Sequence, residues 1–249
     1  MTFCAIDNTR LDCQHCIVRH ISLCSHIGPS DLAEFQALSR RRWFDRGRTI
    51  VEQDDSVDRV LVITRGMVKL YRDTPDGKRQ VTGFLGSGDL LGSIKRSANA
   101  HCSATAITDL DVCEFKKEPF SEFLRVHPSL CFALLVTAMD EIEAQYDHSI
   151  LLGRKTAPER LAAFLLLLSQ RWKNEGEDRN LVNTLMSRHD IADHLGVAGE
   201  TISRTFSRFR ADGLIHLING KSVLLTNTPR LQQLAGFEEM PIHRMAIGL

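Results

Sequence analysis

The chain has no net charge: 31 lysines and arginines balance 31 aspartates and glutamates over 249 residues. Bulk attraction to nucleic acid or to an acidic membrane is therefore absent, and any DNA-facing charge has to be local. No uninterrupted apolar run approaches the ~20 residues of a membrane span. The opening Met-Thr-Phe-Cys-Ala-Ile-Asp lacks a basic stretch followed by an apolar one, so no secretory signal is read there. A cytoplasmic protein without a membrane partner is expected. Internal repeats and low-complexity tracts are missing as well. So are a nucleophile motif and a glycine-rich phosphate loop after a strand, and no enzyme is expected.

What is present is an ordinary globular composition, 43% hydrophobic and 25% charged, long enough for two modest domains. Seven cysteines stand out. In a reducing compartment, closely spaced cysteines point to metal or redox chemistry rather than to disulfides. Cys13-Gln-His-Cys16 with Cys24 offers three thiolates, the soft ligands of iron–sulfur clusters and zinc. A cubane cluster takes a fourth thiolate, and Cys4, Cys102, Cys113 and Cys131 are all candidates by spacing. Zinc would be completed by His15, His20 or His26. Unmetallated surface thiols are the blander reading.

The pattern predicts an α+β chain. Residues 1–28 form a cysteine-rich segment. Residues 29–127 read as a β-roll of short strands cut by glycine turns, with Pro75-Asp76-Gly77 a strong turn signal. Residues 128–155 form a long helix in which Phe132, Leu135, Met139, Ile142 and Tyr146 repeat at 3-4-3-4 spacing. That is a coiled-coil seam, overlapped by the stripe Leu135, Ala138 and Ile142. The seam predicts a homodimer; an amphipathic helix packed on its own domain is the alternative. Asp140, Glu141, Glu143 and Asp147 place repelling charge beside it.

Residues 156–249 read as a winged helix-turn-helix. Ser187-Arg-His-Asp190 starts the first helix and Gly196 permits the turn. In the second helix Ile202, Phe206 and Phe209 share one face, while Glu200, Ser203, Arg204 and Ser207 share the other. The outer face suits a major groove of double-stranded DNA. Arg204 matches guanine O6 and N7, Glu200 accepts from cytosine N4, and Ser203 meets thymine or phosphate. Arg188, Arg208, Arg210 and Lys221 are expected at phosphates. A hairpin turning at Asn219-Gly220 forms the wing. The simpler possibility is a helical hairpin with a solvated charged face. Ala198 stands where a capping Ser or Thr is expected.

Taken together, Cys13-Gln-His-Cys16 with Cys24, Gln80-Val-Thr-Gly-Phe84, Gly88-Asp-Leu-Leu-Gly92, Val112-Cys113-Glu114, Glu159-Arg-Leu-Ala-Ala-Phe164 and Glu200-Thr-Ile-Ser-Arg204 carry a family resemblance. The chain resembles, over nearly its whole length, the CRP/FNR superfamily of bacterial transcription regulators. In particular it is similar to the oxygen-sensing FNR-type branch with its FnrN- and FixK-like members. The resemblance implies a fold: a β-roll like that of cyclic nucleotide-binding proteins, a long dimerisation helix and a winged helix-turn-helix. It implies a [4Fe-4S] cluster on Cys13, Cys16, Cys24 and Cys113, converted by oxygen to [2Fe-2S] and then lost. It further implies cluster-dependent dimerisation through Leu135, Ala138, Met139 and Ile142, and binding to palindromes with TTGAT-like half-sites. A contact with RNA polymerase is implied around residues 82–88. The interval from Cys16 to Cys24 matches the FnrN-like members. Ser93 and His101-Cys102-Ser103 depart from the members that bind cyclic AMP, where Glu and an Arg-Ser pair hold the ligand, so cyclic AMP is not expected. A zinc- or thiol-redox-controlled regulator on the same fold is the alternative.

Overall fold

Short strands form the first half of the chain and helices most of the second. The structure, a computed structural model, describes residues 12–94, 99–171, 180–236 and 247–248. A 3₁₀ turn at Leu23–His26 and helix α1 (Leu32–Ala37) precede β1 (Ser39–Phe44), β2 (Thr49–Val51), β3 (Arg59–Arg65) and β4 (Val68–Asp73). Then come β5 (Arg79–Leu85), β6 (Leu90–Gly92), β7 (Ser103–Ala106) and β8 (Leu110–Lys116). Helices α2 (Lys117–Val126), α3 (Pro128–Arg154) and α4 (Ala157–Arg171) lead to β9 (Leu181–Asn183). Next are α5 (Arg188–His194), α6 (Gly199–Ala211), β10 (Ile215–Asn219), β11 (Ser222–Leu225), α7 (Thr228–Ala235) and β12 (Ile247–Gly248).

The roll is two sheets, ordered β1-β8-β3-β6-β12 and β2-β7-β4-β5. Strand β3 is buried on both faces, and its period of two divides it between two cores. Val60 and Val62 face one core, with Cys113 and Phe115 of β8 beside them. Leu61 and Ile63 face the other, with Leu110 and Val112 of β8. The register Val62↔Cys113 therefore fixes which side each β8 residue serves. A slip of one residue would exchange the two sets.

Phe35 of α1 anchors the first core, 4.7 Å from the Phe115 ring and 5.2 Å from that of Phe123. Leu130 and Leu134, in the first turns of α3, belong to the same core. Farther along, α3 is two-sided. Ala133, Thr137 and Leu151 are buried, while Phe132, Leu135, Val136, Met139, Ile142, Tyr146 and Ile150 are all at least 44% exposed.

Contacts divide the described residues into two compact units. The first holds residues up to Leu70, Phe84–Met139 and β12; the second holds Tyr71–Gly83 and residues from Asp140 to Gly236. The division falls within α3. In the second unit α4 is apolar nearly all round, and Leu161, Ala162, Ala163, Phe164, Leu165, Leu166 and Leu168 are buried. The wing is a sheet ordered β10-β11-β9. Among the described residues no single helix is long and apolar enough to cross a membrane.

Candidate functional site

Two regions carry the chemistry that the sequence points to. In the first, residues 12–27 are held by short-range bonds: the Arg19 and Ser22 N–H groups donate to Cys16 and Val18 carbonyls at 3.1 and 3.0 Å. The Ser22 hydroxyl accepts from the Cys24 N–H at 3.3 Å and starts the 3₁₀ turn. Val18, Leu23 and Ile27 are buried, which ties this lead to the roll. Gly88, at φ +95°, lies directly beneath Ile21: a Cβ there would meet its side chain at 3.1 Å. The Cys13 N–H donates to Gln36 Oε1 of α1 at 3.3 Å.

These contacts bring the lead's cysteines to β8. Cys13 and Cys113 share one buried core, and Cys24 packs against it. Burial pushes the Cys13 thiol up to about 11, helped by the charges of Cys24 and Cys16. The Cys24 thiol is raised mainly by burial. Cys113 is raised further, by burial first and then by Cys16, Cys24 and Cys13, with Arg41 opposing. Arg41 stands directly across the β1–β8 ladder from Cys113. The four thiols thus lie within electrostatic reach of one another. Cys102 is buried in the other core of the roll, and Cys131 is exposed on α3. Cys4 lies outside the described residues.

The donor set fits a four-thiolate group. It is all sulfur and partly buried, and burial disfavours free thiolates, so charge on all four needs a cation to balance it. Among the described residues no group of three or more Cys, His, Asp or Glu side chains is placed to hold a metal ion. The histidines considered as a zinc ligand point away. His15 is exposed with Nδ1 2.7 Å from Asp12 Oδ2, and His20 and His26 are exposed.

Behind Cys113 is an ion network that sequence reading missed. Glu114 is 3% exposed and bonded by Arg40, by Arg42 at 2.6 Å and by Arg59 at 3.2 Å. Burial raises its carboxyl, but the arginines outweigh that and hold it below the usual range. The available signal was the run Arg40-Arg41-Arg42, whose alternate residues share a strand face.

The second region is α5–α6. Ser187 and Asp190 form a reciprocal capping box on α5, and Gly196 turns the chain at φ +61°. Ile202, Thr205, Phe206 and Phe209 bury the inner face of α6, each large apolar side chain contributing about 1.5–3 kcal/mol. Glu200, Ser203, Arg204, Ser207, Arg208 and Arg210 are exposed, as is Lys221 at the wing. Arg204 pairs with Glu200 at 3.4 Å and Arg208 with Asp212 at 3.5 Å, both well solvated.

Arg188 departs from expectation. Its guanidinium lies over the Phe206 ring, 3.2 Å from the centroid, with Nη1 buried and unpartnered. Burial pulls its pKa down to about 10. Stacking on an inner-face aromatic takes it away from the outer surface where phosphates would lie. In the stretch expected to meet RNA polymerase, Phe84, Leu85, Gly86 and Gly88 are buried, while Thr82, Gly83 and Ser87 are half-buried.

Residues 41–127 match the cyclic nucleotide-binding domain family, and residues 159–234 match the Crp-like helix-turn-helix domain family. Over 223 residues the chain is 37% identical to the nitrogen fixation regulation protein FixK of Bradyrhizobium diazoefficiens, covering 90% of this chain and 93% of that protein. The chain belongs to the CRP/FNR superfamily of transcription regulators. It is also 32% identical to the transcriptional activator protein FnrL of Cereibacter sphaeroides, over 90% of this chain and 92% of that protein. The solved structure of FixK2 from Bradyrhizobium japonicum superposes with a TM-score of 0.73 at 28% identity, covering 82% of this chain and 99% of that one. Members of the CRP/FNR superfamily are DNA-binding regulators rather than enzymes, and the α5–α6 pair is this member's helix-turn-helix.

Proposed function

We propose that this regulator responds to oxygen through a [4Fe-4S] cluster held by Cys13, Cys16, Cys24 and Cys113, and binds palindromic TTGAT-like operators as a homodimer. The observation that carries the reading is the gathering of thiols from two distant stretches of chain, with Cys13 and Cys113 in one buried core and Cys24 packed against it. A cluster bound by these four cysteines would supply the reactivity toward oxygen. The remaining steps belong to the protein. Ligation ties the lead to β8 with energy that exists only in the folded site. Cys13, Cys113, Leu130 and Leu134 lie in one core, so restraint at the thiols reaches the first turns of α3.

Dimerisation is assigned to α3 through Leu135, Ala138, Met139 and Ile142. The exposed row Phe132, Leu135, Met139, Ile142, Tyr146 and Ile150 supports that reading, because such a contiguous apolar strip is uncommon on a monomer. A shift from mostly monomer to mostly dimer takes only about 5 kcal/mol of differential stability. Two α6 helices about one DNA turn apart then read the half-sites. Glu200, Ser203 and Arg204 meet bases, while Arg208, Arg210 and Lys221 meet phosphates. RNA polymerase is the expected further partner.

Cyclic AMP is not part of this reading. Buried Cys102 stands where the cyclic-AMP members carry arginine. A cavity of about 250 Å³ beside Leu61, Leu91 and Gly92 is lined by Arg42 and Arg59, but both already bond Glu114.

The test is iron and acid-labile sulfide content on protein purified without oxygen, with the visible spectrum and operator binding. About four irons and four sulfides per chain, bleaching in air together with loss of binding, are expected. Zinc, or no metal, with operator binding intact would replace this reading by a zinc- or thiol-controlled regulator.

A further inference from the structure

Arg160, in the first turn of α4, donates to four backbone carbonyls that the helix-turn-helix reading leaves unexplained. Its Nη2 donates to the Leu152 carbonyl at 2.7 Å and its Nε to the Lys155 carbonyl at 2.9 Å. Its Nη1 donates to the Leu195 carbonyl at 2.7 Å and reaches the Gly196 carbonyl at 3.4 Å. The first pair lies at the C-terminus of α3, the second at the C-terminus of α5. The last carbonyls of a helix have no partner within it and carry the negative end of its dipole. One guanidinium therefore closes two helix ends at once.

The joint is closely packed: a Cβ at Gly196 would stand 3.4 Å from both Arg160 Nη1 and Leu152 Cδ2. Glu159 fixes the start of α4 by accepting from the Thr156 N–H at 2.6 Å and hydroxyl at 2.8 Å. Beside the arginine, the His194 ring of α5 stacks on the His148 ring of α3, with centroids 4.4 Å apart. Gln80 donates to the Asp193 carbonyl, and His194 Nδ1 is 3.3 Å from the Val81 carbonyl. All these groups lie in the second unit.

We infer that Arg160 is a positioning residue that fixes the angle between α3 and the α5–α6 pair, and thereby sets which spacing between half-sites the dimer accepts. The inference rests on the dimeric, palindrome-reading function proposed above. Helix α6 follows α5 because both share one buried face and the turn at Gly196, so orienting α5 orients the recognition helix. If α3 is the common element of the dimer, the α3–α5 angle determines the distance between the two recognition helices. Lysine cannot replace the arginine. Its three donors radiate from one point, whereas the guanidinium presents five in a rigid plane aimed in three directions.

The experiment uses the full chain, loaded without oxygen, as wild type, Arg160→Lys and Arg160→Gln. Each is titrated with duplexes carrying one half-site, and with palindromes whose spacer is changed by one or two base pairs in either direction. Iron content and sedimentation are measured on the same samples. The wild type is expected to prefer one spacer. The variants are expected to keep iron content, dimer fraction and half-site affinity within about twofold, and to lose tenfold or more of the spacer preference. Gly196→Asn perturbs the same joint independently, since Asn tolerates the left-handed backbone but places a polar side chain beside Arg160. It should relax spacing in the same way, even if an Arg160 variant does not fold. An unchanged spacer profile, or equal loss on half-sites and palindromes, would overturn the inference. A wild type that loads iron but prefers no palindrome would instead overturn the reading beneath it.

Discussion

The thiol site and the recognition helix are built in opposite ways. The proposed thiol site draws Cys13, Cys16 and Cys24 from the lead and Cys113 from the last strand of the roll, with Cys13 and Cys113 buried and Cys16 and Cys24 half-buried. The recognition helix carries the residues proposed to read bases within a few positions of one another, all exposed on one face. One exists only when distant segments fold together; the other needs little more than its own helix and the core beneath it. A sensor benefits from the first arrangement, because losing the ligated group removes a long-range tie. A reader benefits from the second, because its surface stays intact whichever state the sensor is in.

The largest effect should come from breaking the long-range tie. Cys113→Ser replaces a soft ligand by a hard one at the position that joins β8 to the lead. Iron retention and anaerobic operator binding should both be lost, while Cys102→Ser, in the other core, should leave both unchanged. Retained cluster in Cys113→Ser would detach β8 from the sensor. Next comes the connection between the regions. Leu135 is 58% exposed, so Leu135→Asp should alter the stability of the isolated chain by no more than about 0.5 kcal/mol. The same change should abolish the dimer in sedimentation and, with it, palindrome binding. A persistent dimer would move the interface off this face.

The reader itself should show a split that the sensor cannot. Arg204→Ala should cost about 1–3 kcal/mol and relax preference at one base position. Arg208→Ala should weaken all sequences alike and lower the salt slope by about one. Arg188, folded over Phe206, should behave as neither. Its replacement by alanine should lower thermal stability and leave the salt slope nearly unchanged, and a full unit of lost slope would put it back on the DNA.

Legibility in the sequence follows the same contrast. The inner and outer faces of α6, the turn at Gly196 and the seam of α3 could be read locally, because period and glycine report on the nearest few residues. The three lead cysteines could be read from spacing, but the fourth could not. Cys102 and Cys113 are separated by eleven positions and by the face of a sheet, and only the β3–β8 register tells those faces apart. The stacking of Arg188 on Phe206 could not be read, because period predicts which side a Cα faces and not where a long flexible side chain folds back. Arg160 and the arginines around Glu114 were missed for a related reason. Their partners are backbone ends and carboxylates brought close only by tertiary folding, and nothing in their own neighbourhood announces them.

A smaller effect, confined to the reading unit, should follow acid. Burial, reinforced by His148 and Arg171, pulls the His194 pKa down to about 3, and His148 is also lowered by burial. The folded unit therefore holds these rings neutral, while the unfolded chain takes up protons below about 6.5. Stability is full above that value and falls as the pH drops toward the folded pKa, by about 2 kcal/mol for His194 at pH 5. His194→Phe keeps a stacked ring without the titration. Denaturant midpoints at pH 7 and pH 5 should separate more for wild type than for this variant, and equal shifts would show that the ring is solvated.

The smallest effect compares the two helices of the reader with each other. Helix α5 begins with a full capping box, Ser187 accepting from the Asp190 N–H at 3.0 Å. Helix α6 begins at Ala198, whose φ of −66° and ψ of 144° are those of a capping residue but whose side chain offers no acceptor. The backbone is already in place, so Ala198→Ser supplies a side-chain acceptor to the first turn, where the Thr201 N–H now bonds the Ala198 carbonyl at 2.9 Å. That should add about 1 kcal/mol, just as Ser187→Ala should remove about as much. Thermal unfolding of the two variants should move in opposite directions by a few degrees each. If Ala198→Ser gives no gain, the first turn of α6 is satisfied by another route, and the two helices are capped equally well despite their sequences.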